Sequence, residues 1–365
     1  MTSTTCTDRF GTGFESLCER LTEQTASLEG ERDWPGEQLE WLADAGVLGW
    51  VIPAEFGGRG ISAEDLTLGY KCLAAACLTT TFVLTQRNGA CQRIAGAEQD
   101  TLKAELLPAL CSADTFATVG VSHLTTSRQH LRKPAVEVTE TDGGFLFNGV
   151  IPWVTGAKFA DHIITGGTCS DGRQVLAVIP TAAEGVMIEQ PPRLLALNAS
   201  QTGAVRLENV EIDRRLLIAG PIENVMKLGK GGGTGSLTTS ALAVGTAEGV
   251  LRRLKAEADR RADLVEIYDP LAAECAAIFH DMMAAVRSDA AANDTPPSAE
   301  SIRRRANSLV LRAAQAYLAA SKGAGYVTGH PAERAVREAM FFLVWSCPQP
   351  VLHAALREFA CVLES

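Results

Sequence analysis

Runs of β-favouring residues are confined to one central stretch, residues 116–216, and helical texture fills the chain on both sides of it. The runs A-V-E-V-T (135–139), F-L-F-N (145–148), H-I-I-T (162–165), V-L-A-V-I (175–179) and A-V-R-L (204–207) are separated by turn signals such as Asp142-Gly143-Gly144 and Asn148-Gly149. That pattern predicts antiparallel strands. Upstream, apolar residues recur at helical spacing in the sets Leu39, Leu42, Val47, Leu48; Leu66, Tyr70, Leu73; and Leu102, Leu106, Leu107. A glycine-rich turn cluster, P-A-E-F-G-G-R-G (53–60), breaks that helical block. Downstream, helices are predicted over 237–262, 269–290, 299–322 and 331–345, with N-D-T-P-P-S (293–298) as an exposed connector. Strands inserted between helical blocks without βαβ alternation imply an α+β fold. The expected parts are an N-terminal helical domain (1–116), a central antiparallel β-domain (117–222) and a C-terminal four-helix bundle (223–365).

With 365 residues, 46% hydrophobic and 21% charged, the chain can bury a sizeable core and is not of disordered composition. A net charge of −10 gives no basic footprint for nucleic acid or an anionic membrane. The cysteines at 6, 18, 72, 77, 91, 111, 169, 275, 347 and 361 form no paired CxxC site, so they read as reduced, mostly buried thiols, and no metal is expected. The N-terminal M-T-S-T-T-C-T-D-R-F has no apolar leader, and no apolar run approaches the ~20 residues that span a bilayer, so a cytoplasmic protein is expected.

Four segments carry an ordered set of motifs. W-P-G-E-Q-L-E-W-L-A-D-A-G-V-L-G-W-V-I-P-A-E-F-G-G-R-G (34–60) holds Gly46, Gly49, Pro53, Gly57, Gly58 and Gly60 at characteristic intervals. F-L-F-N-G-V-I-P-W-V-T-G-A-K-F-A-D-H (145–162), L-N-A-S-Q-T-G-A-V-R-L-E-N-V-E-I (197–212) and K-G-A-G-Y-V-T-G-H-P-A-E-R-A-V-R (322–337) follow. Together they resemble the acyl-CoA dehydrogenase superfamily over nearly the whole chain. The resemblance implies a helical–β–helical layout and a flavin cofactor. It also implies a small-molecule substrate, such as a CoA or carrier-protein thioester, and a homodimer or homotetramer.

By the same resemblance, Trp153 stacks on the flavin ring and Thr155 offers its hydroxyl or N–H to the ring edge. V-G-V-S-H-L-T-T-S-R (119–128) stands where the family binds the flavin pyrimidine through backbone, which makes Val121 and Ser122 candidates. Arg261 falls where a family arginine reaches the FAD pyrophosphate of a neighbouring subunit. The family's next contacts to the AMP half are replaced by Asp263-Leu264, Ala272 and Ala319, so FAD is implied but FMN or no flavin stays open.

R-E-A-M-F-F-L-V-W-S-C-P-Q-P (337–350) resembles the family's catalytic segment, an Arg-Asp pair, an apolar run and Tyr-Glu-Gly-Thr. There the glutamate is the base for the α-proton. Here that position is Ser346, followed by Cys347 and Pro348, and the alternative family base position is Gly235 within G-K-G-G-G-T-G (229–235). A serine without a partner base cannot remove a weakly acidic C–H proton near neutral pH. His123, His130, His330 and Cys347 are the remaining titratable candidates. Three functions follow. The first is a flavin-dependent oxidoreductase with a non-standard or absent base. The second is a monooxygenase using reduced flavin and oxygen, like the dibenzothiophene monooxygenase relatives, whose S-G-A-K-x-x-D resembles T-G-A-K-F-A-D (155–161). The third is a scaffold that has lost its flavin.

Overall fold

A computed structural model describes residues 6–30, 33–125, 133–228, 237–287 and 297–362. Gly235 with the glycine segment 229–235, Arg128, His130 and residues 293–296 of the connector lie outside the described residues. Helices α1 (Cys6–Phe10), α2 (Thr12–Gln24), α3 (Gly36–Asp44), α4 (Ala63–Ala76), α5 (Leu78–Ala95) and α6 (Asp100–Cys111) form the first block. Ser62 starts α4: its extended backbone leaves the side chain free to accept the Asp65 N–H at 3.0 Å. The turn cluster folds back on the preceding segment through Arg59 N–H to Gly49 O (2.7 Å) and Ile61 N–H to Trp50 O (2.8 Å). A disulfide joins Cys6 to Cys72, tying α1 to α4 across 6.7 Å between Cα atoms, which corrects the expectation of wholly reduced thiols. The two lie 66 residues apart, and only the packing of α1 on α4 brings them together. Cys77, Cys91 and Cys275 are buried, whereas Cys361 is exposed.

The strands are β1 (Ala117–Gly120), β2 (Val136–Glu140), β3 (Gly144–Thr155), β4 (His162–Cys169), β5 (Gln174–Pro180), β6 (Val186–Ile188), β7 (Thr202–Asp213) and β8 (Leu217–Ile222), with the short helix α7 (Ser122–Thr125) after β1. They form one sheet in the order β6-β7-β3-β2-β4-β5-β8, with β1 also on β4. The sheet is antiparallel except where β1 and β2 pair parallel with successive halves of one edge of β4. Asn148-Gly149 does not turn the chain. The strand runs through it as a bulge against β7, with Gly149 at φ +137° and a Cβ there coming within 2.2 Å of Ala135 O. The all-apolar run in β5 follows from burial on both faces. Val175, Ala177 and Ile179 join a core within the sheet, while Leu176 and Val178 join one shared with α5 and α6.

The last block holds α8 (Leu237–Ala258), α9 (Val265–Arg287), α10 (Ala299–Ala320), α11 (Lys322–Gly325), α12 (Pro331–Val344) and α13 (Gln349–Phe359). Helices α8, α9, α10 and α12 pack on one another, and α8 also lies along α4. That last contact is backbone-close: a Cβ on Gly245 would sit 2.2 Å from Lys71 O, and one on Gly249 2.4 Å from Ala75 O. The resulting core runs from Phe14 in α2 to Phe342 in α12. Among the described residues, no helix is long and apolar enough to cross a membrane.

Candidate active site

A cavity of about 710 Å³ opens where the two helical blocks meet the sheet. Helix α4 contributes Tyr70, α5 contributes Phe82, Gln86 and Arg93, and α12 with its following loop contributes Phe341, Trp345 and Ser346. The sheet side is closed by Val119 and Val121 around β1, Ser122 at the head of α7 and Trp153 on β3.

Four of the expected residues therefore share one cavity: Val121, Ser122, Trp153 and Ser346. Trp153 is 39% exposed, unusual for an aromatic in a sheet, and the Ser122 hydroxyl is buried with no hydrogen-bond partner. Thr155 is buried behind the wall: its hydroxyl shares a 2.9 Å hydrogen bond with Thr202, which itself lines the cavity.

The other candidates lie elsewhere. Arg261 donates to Ala320 O (2.8 Å) and to Asp263 (3.1 Å), so within one chain it binds the C-terminal end of α10. His123 does not line the cavity, and its Nε2 lies 2.8 Å from Gly166 O on β4. His330 caps α12, its Nδ1 accepting the Ala332 N–H at 3.1 Å. Cys347 lies just outside the lining, and burial pushes its thiol up despite the Arg303 guanidinium near it, so it is no ready thiolate.

Ser346 stands at the end of α12 with φ +44°, a left-handed backbone that only a well-determined neighbourhood holds in a non-glycine residue. The hold comes from α10. Asn307 donates to Phe342 O at 2.8 Å, and the fully buried Arg303 donates to Trp345 O at 3.1 Å and to Asn307 Oδ1 at 2.8 Å. Burial pulls Arg303 down to about 10, which leaves it charged and well suited to the carbonyl end of a helix. This support was not visible in sequence, because Arg303 and Asn307 lie inside an ordinary helical pattern.

Two guanidiniums also line the cavity. Burial pulls Arg93 down to about 10, and its Nη1 donates to Gly89 O at 2.8 Å. Arg337 pairs with Glu333 (2.5 Å) and Glu29 (2.7 Å) and donates to Leu195 O at the cavity rim. Among the described lining residues there is no carboxylate and no imidazole.

Layout and cavity define a helical–β–helical protein with a cavity where the three parts meet. Residues 14–114 match the acyl-CoA dehydrogenase N-terminal domain family. A probable acyl-CoA dehydrogenase of Bacillus subtilis is 22% identical over 236 residues, covering 63% of this chain and 62% of that one. A dibenzothiophene monooxygenase of Mycolicibacterium goodii is 26% identical over 278 residues, covering 68% and 63% respectively. The chain thus spans less than two thirds of the length of either relative. The fold matches butyryl-CoA dehydrogenase from Megasphaera elsdenii with a TM-score of 0.82 at 16% identity, over 98% of this chain and 99% of that one. The chain is similar to acyl-CoA dehydrogenases in sequence over its N-terminal helical block and in fold throughout, and its relatives include both dehydrogenases and monooxygenases.

Proposed function

We propose that the chain is a flavin-dependent oxidoreductase acting on a small, largely apolar molecule without a carboxylate base, and that oxygenation with reduced flavin is its reaction. One observation carries this reading: no carboxylate or imidazole appears among the described residues of the cavity wall, and the family's base position holds Ser346. Dehydrogenation at carbon needs a base poised near neutral pH, and a lone serine hydroxyl is far from that range. Nor does the segment around the second base position supply one, since 229–236 reads G-K-G-G-G-T-G-S.

The residues present fit a flavin. An indole face left open on β3 suits an isoalloxazine ring, and the unpartnered Ser122 hydroxyl needs a polar partner that the protein does not provide. Trp153 would flank the ring and Val121 with Ser122 would hold its polar edge. Arg261 would serve the phosphates of FAD in a neighbouring copy of a homodimer or homotetramer. Bound there, the flavin supplies two-electron redox chemistry. The chain's own task is exclusion and placement. Phe82, Phe341 and Trp345 form a mutually packed aromatic wall, with ring centroids 4.6–5.5 Å apart, that keeps water from the reacting face.

The test is a near-ultraviolet and visible spectrum of the purified protein with chromatography of any cofactor released on denaturation. FAD, or flavin taken up on adding its reduced form, is expected. Acyl-CoA thioesters should not bleach the flavin anaerobically, while reduced flavin with oxygen should yield oxygenated product from a small aromatic substrate. Bleaching by acyl-CoA would restore the dehydrogenase reading. Absence of flavin under every condition would leave a scaffold.

A further inference from the structure

Tyr70 is 3% exposed and lines the cavity from α4. Its phenol oxygen accepts a 2.9 Å hydrogen bond from Asn88 Nδ2, and Asn88 Oδ1 in turn accepts one from Arg87 Nη1, also at 2.9 Å. Arg87 is 1% exposed and anchored by carbonyls of the protein, donating to Leu48 O at 2.7 Å and to Leu110 O. The chain of donors runs one way, from a fixed guanidinium through a fixed amide to the phenol. Because the Tyr70 oxygen is already an acceptor for Asn88, its own proton must be given elsewhere, and no described residue takes it. Burial pushes the phenol up, so at neutral pH it keeps that proton and acts as a donor, not a phenolate. Each bond in such a chain strengthens the next, and the tyrosine that ends it lines the cavity.

The same cavity is walled by Phe82, Phe341 and Trp345, whose rings pack edge-on and stacked against one another. These surfaces accept a flat apolar body, and the buried phenol then finds its acceptor on that body. We propose that Tyr70 is the donor that selects the cavity's ligand, a neutral, flat, apolar molecule carrying one hydrogen-bond acceptor, with Arg87 and Asn88 as positioning residues behind it. This rests on the cavity being the substrate site, as proposed above. A ligand without an acceptor leaves the phenol proton buried and unpaired, and that penalty is what discriminates.

The test compares fluorenone, which carries a carbonyl, with fluorene, which does not, by equilibrium dialysis against the full-length protein. Fluorenone should bind about tenfold tighter than fluorene, one buried hydrogen bond's worth. Tyr70→Phe should remove that preference, chiefly by raising fluorene affinity toward that of fluorenone, because the unpaired proton that penalises fluorene is gone. Asn88→Asp keeps the phenol but replaces the amide donor with a carboxylate oxygen that takes the Tyr70 proton. It should remove the preference equally, and it serves if the first variant folds poorly. Equal weakening of both probes, or a preference that survives both variants, would overturn the proposal. If neither probe binds, the ligand class is wrong. The flavin reading would still stand on its spectrum and its oxygenated product, which are measured independently.

Discussion

Ser122 is where the site most visibly lacks a partner, since its hydroxyl is buried in the cavity wall and bonds to nothing in the protein. Ser122→Ala should raise the flavin dissociation constant by about five- to tenfold, read from quenching of flavin fluorescence on titration. Stability should change little, because no internal bond is lost. Glu338 poses the opposite problem. It borders a void of about 20 Å³ shared with Thr246 and Arg334, and burial pushes its carboxyl up to about 7 against the pull of Arg334 and Arg253. Its ordinary value is 4.5, so the folded chain holds this proton where the unfolded chain has released it. The resulting stabilisation is complete below about pH 4.5 and is lost as pH rises through about 7. Glu338 keeps partial exposure, so about 3 kcal/mol is the ceiling. Glu338→Gln should flatten the corresponding fall in Tm between about pH 5 and about pH 8, measured by calorimetry. At this scale the motifs led to residues of the cavity wall, as for Trp153 and Ser346. The sequence was silent on Tyr70, Arg87 and Arg303, which acquire their roles only through neighbours on other helices.

Among the elements, the contact between α4 and α8 is the least forgiving. A side chain at Gly245 or Gly249 would meet backbone oxygen, which cannot step aside as a flexible side chain can. Gly249→Val should therefore cost more than about 3 kcal/mol in chemical denaturation. Arg252→Ala, at an exposed guanidinium whose partner Glu248 keeps Lys71, should stay within about 1 kcal/mol. The long elements were legible because their periodicity is long: the predicted 299–322 and 331–345 are α10 and α12 within two residues at each end. The short strands β1, β6 and β8 were not. A-T-V-G, V-M-I and L-I-A-G-P-I hold too few residues, or too much glycine and proline, to show a period of two. Asn148-Gly149 carries the signature of a tight turn but serves as a bulge, because β7 pairs on both sides of it and holds the chain extended.

For the whole molecule, the Cys6–Cys72 bridge closes a large loop at one end of the helical core. Restricting the unfolded chain in this way should contribute about 2–4 kcal/mol, so Cys72→Ser or added reductant should lower the denaturation midpoint. Intact mass before and after alkylation, with and without reduction, checks the bridge directly. The layout of helices, sheet and helices was legible because composition changes at each border. The joining of the two helical blocks into one core was not, because it depends on contacts between residues hundreds of positions apart in the chain. That joining governs how the chain can be made. The inner face of α4 is finished only when α8 lies against it, so the early helices emerge from the ribosome long before their partner exists. A fragment ending after α6 would keep an apolar flank with nothing to cover it. The nascent chain must either hold that flank loosely until residue 258 has been added or borrow cover from a chaperone.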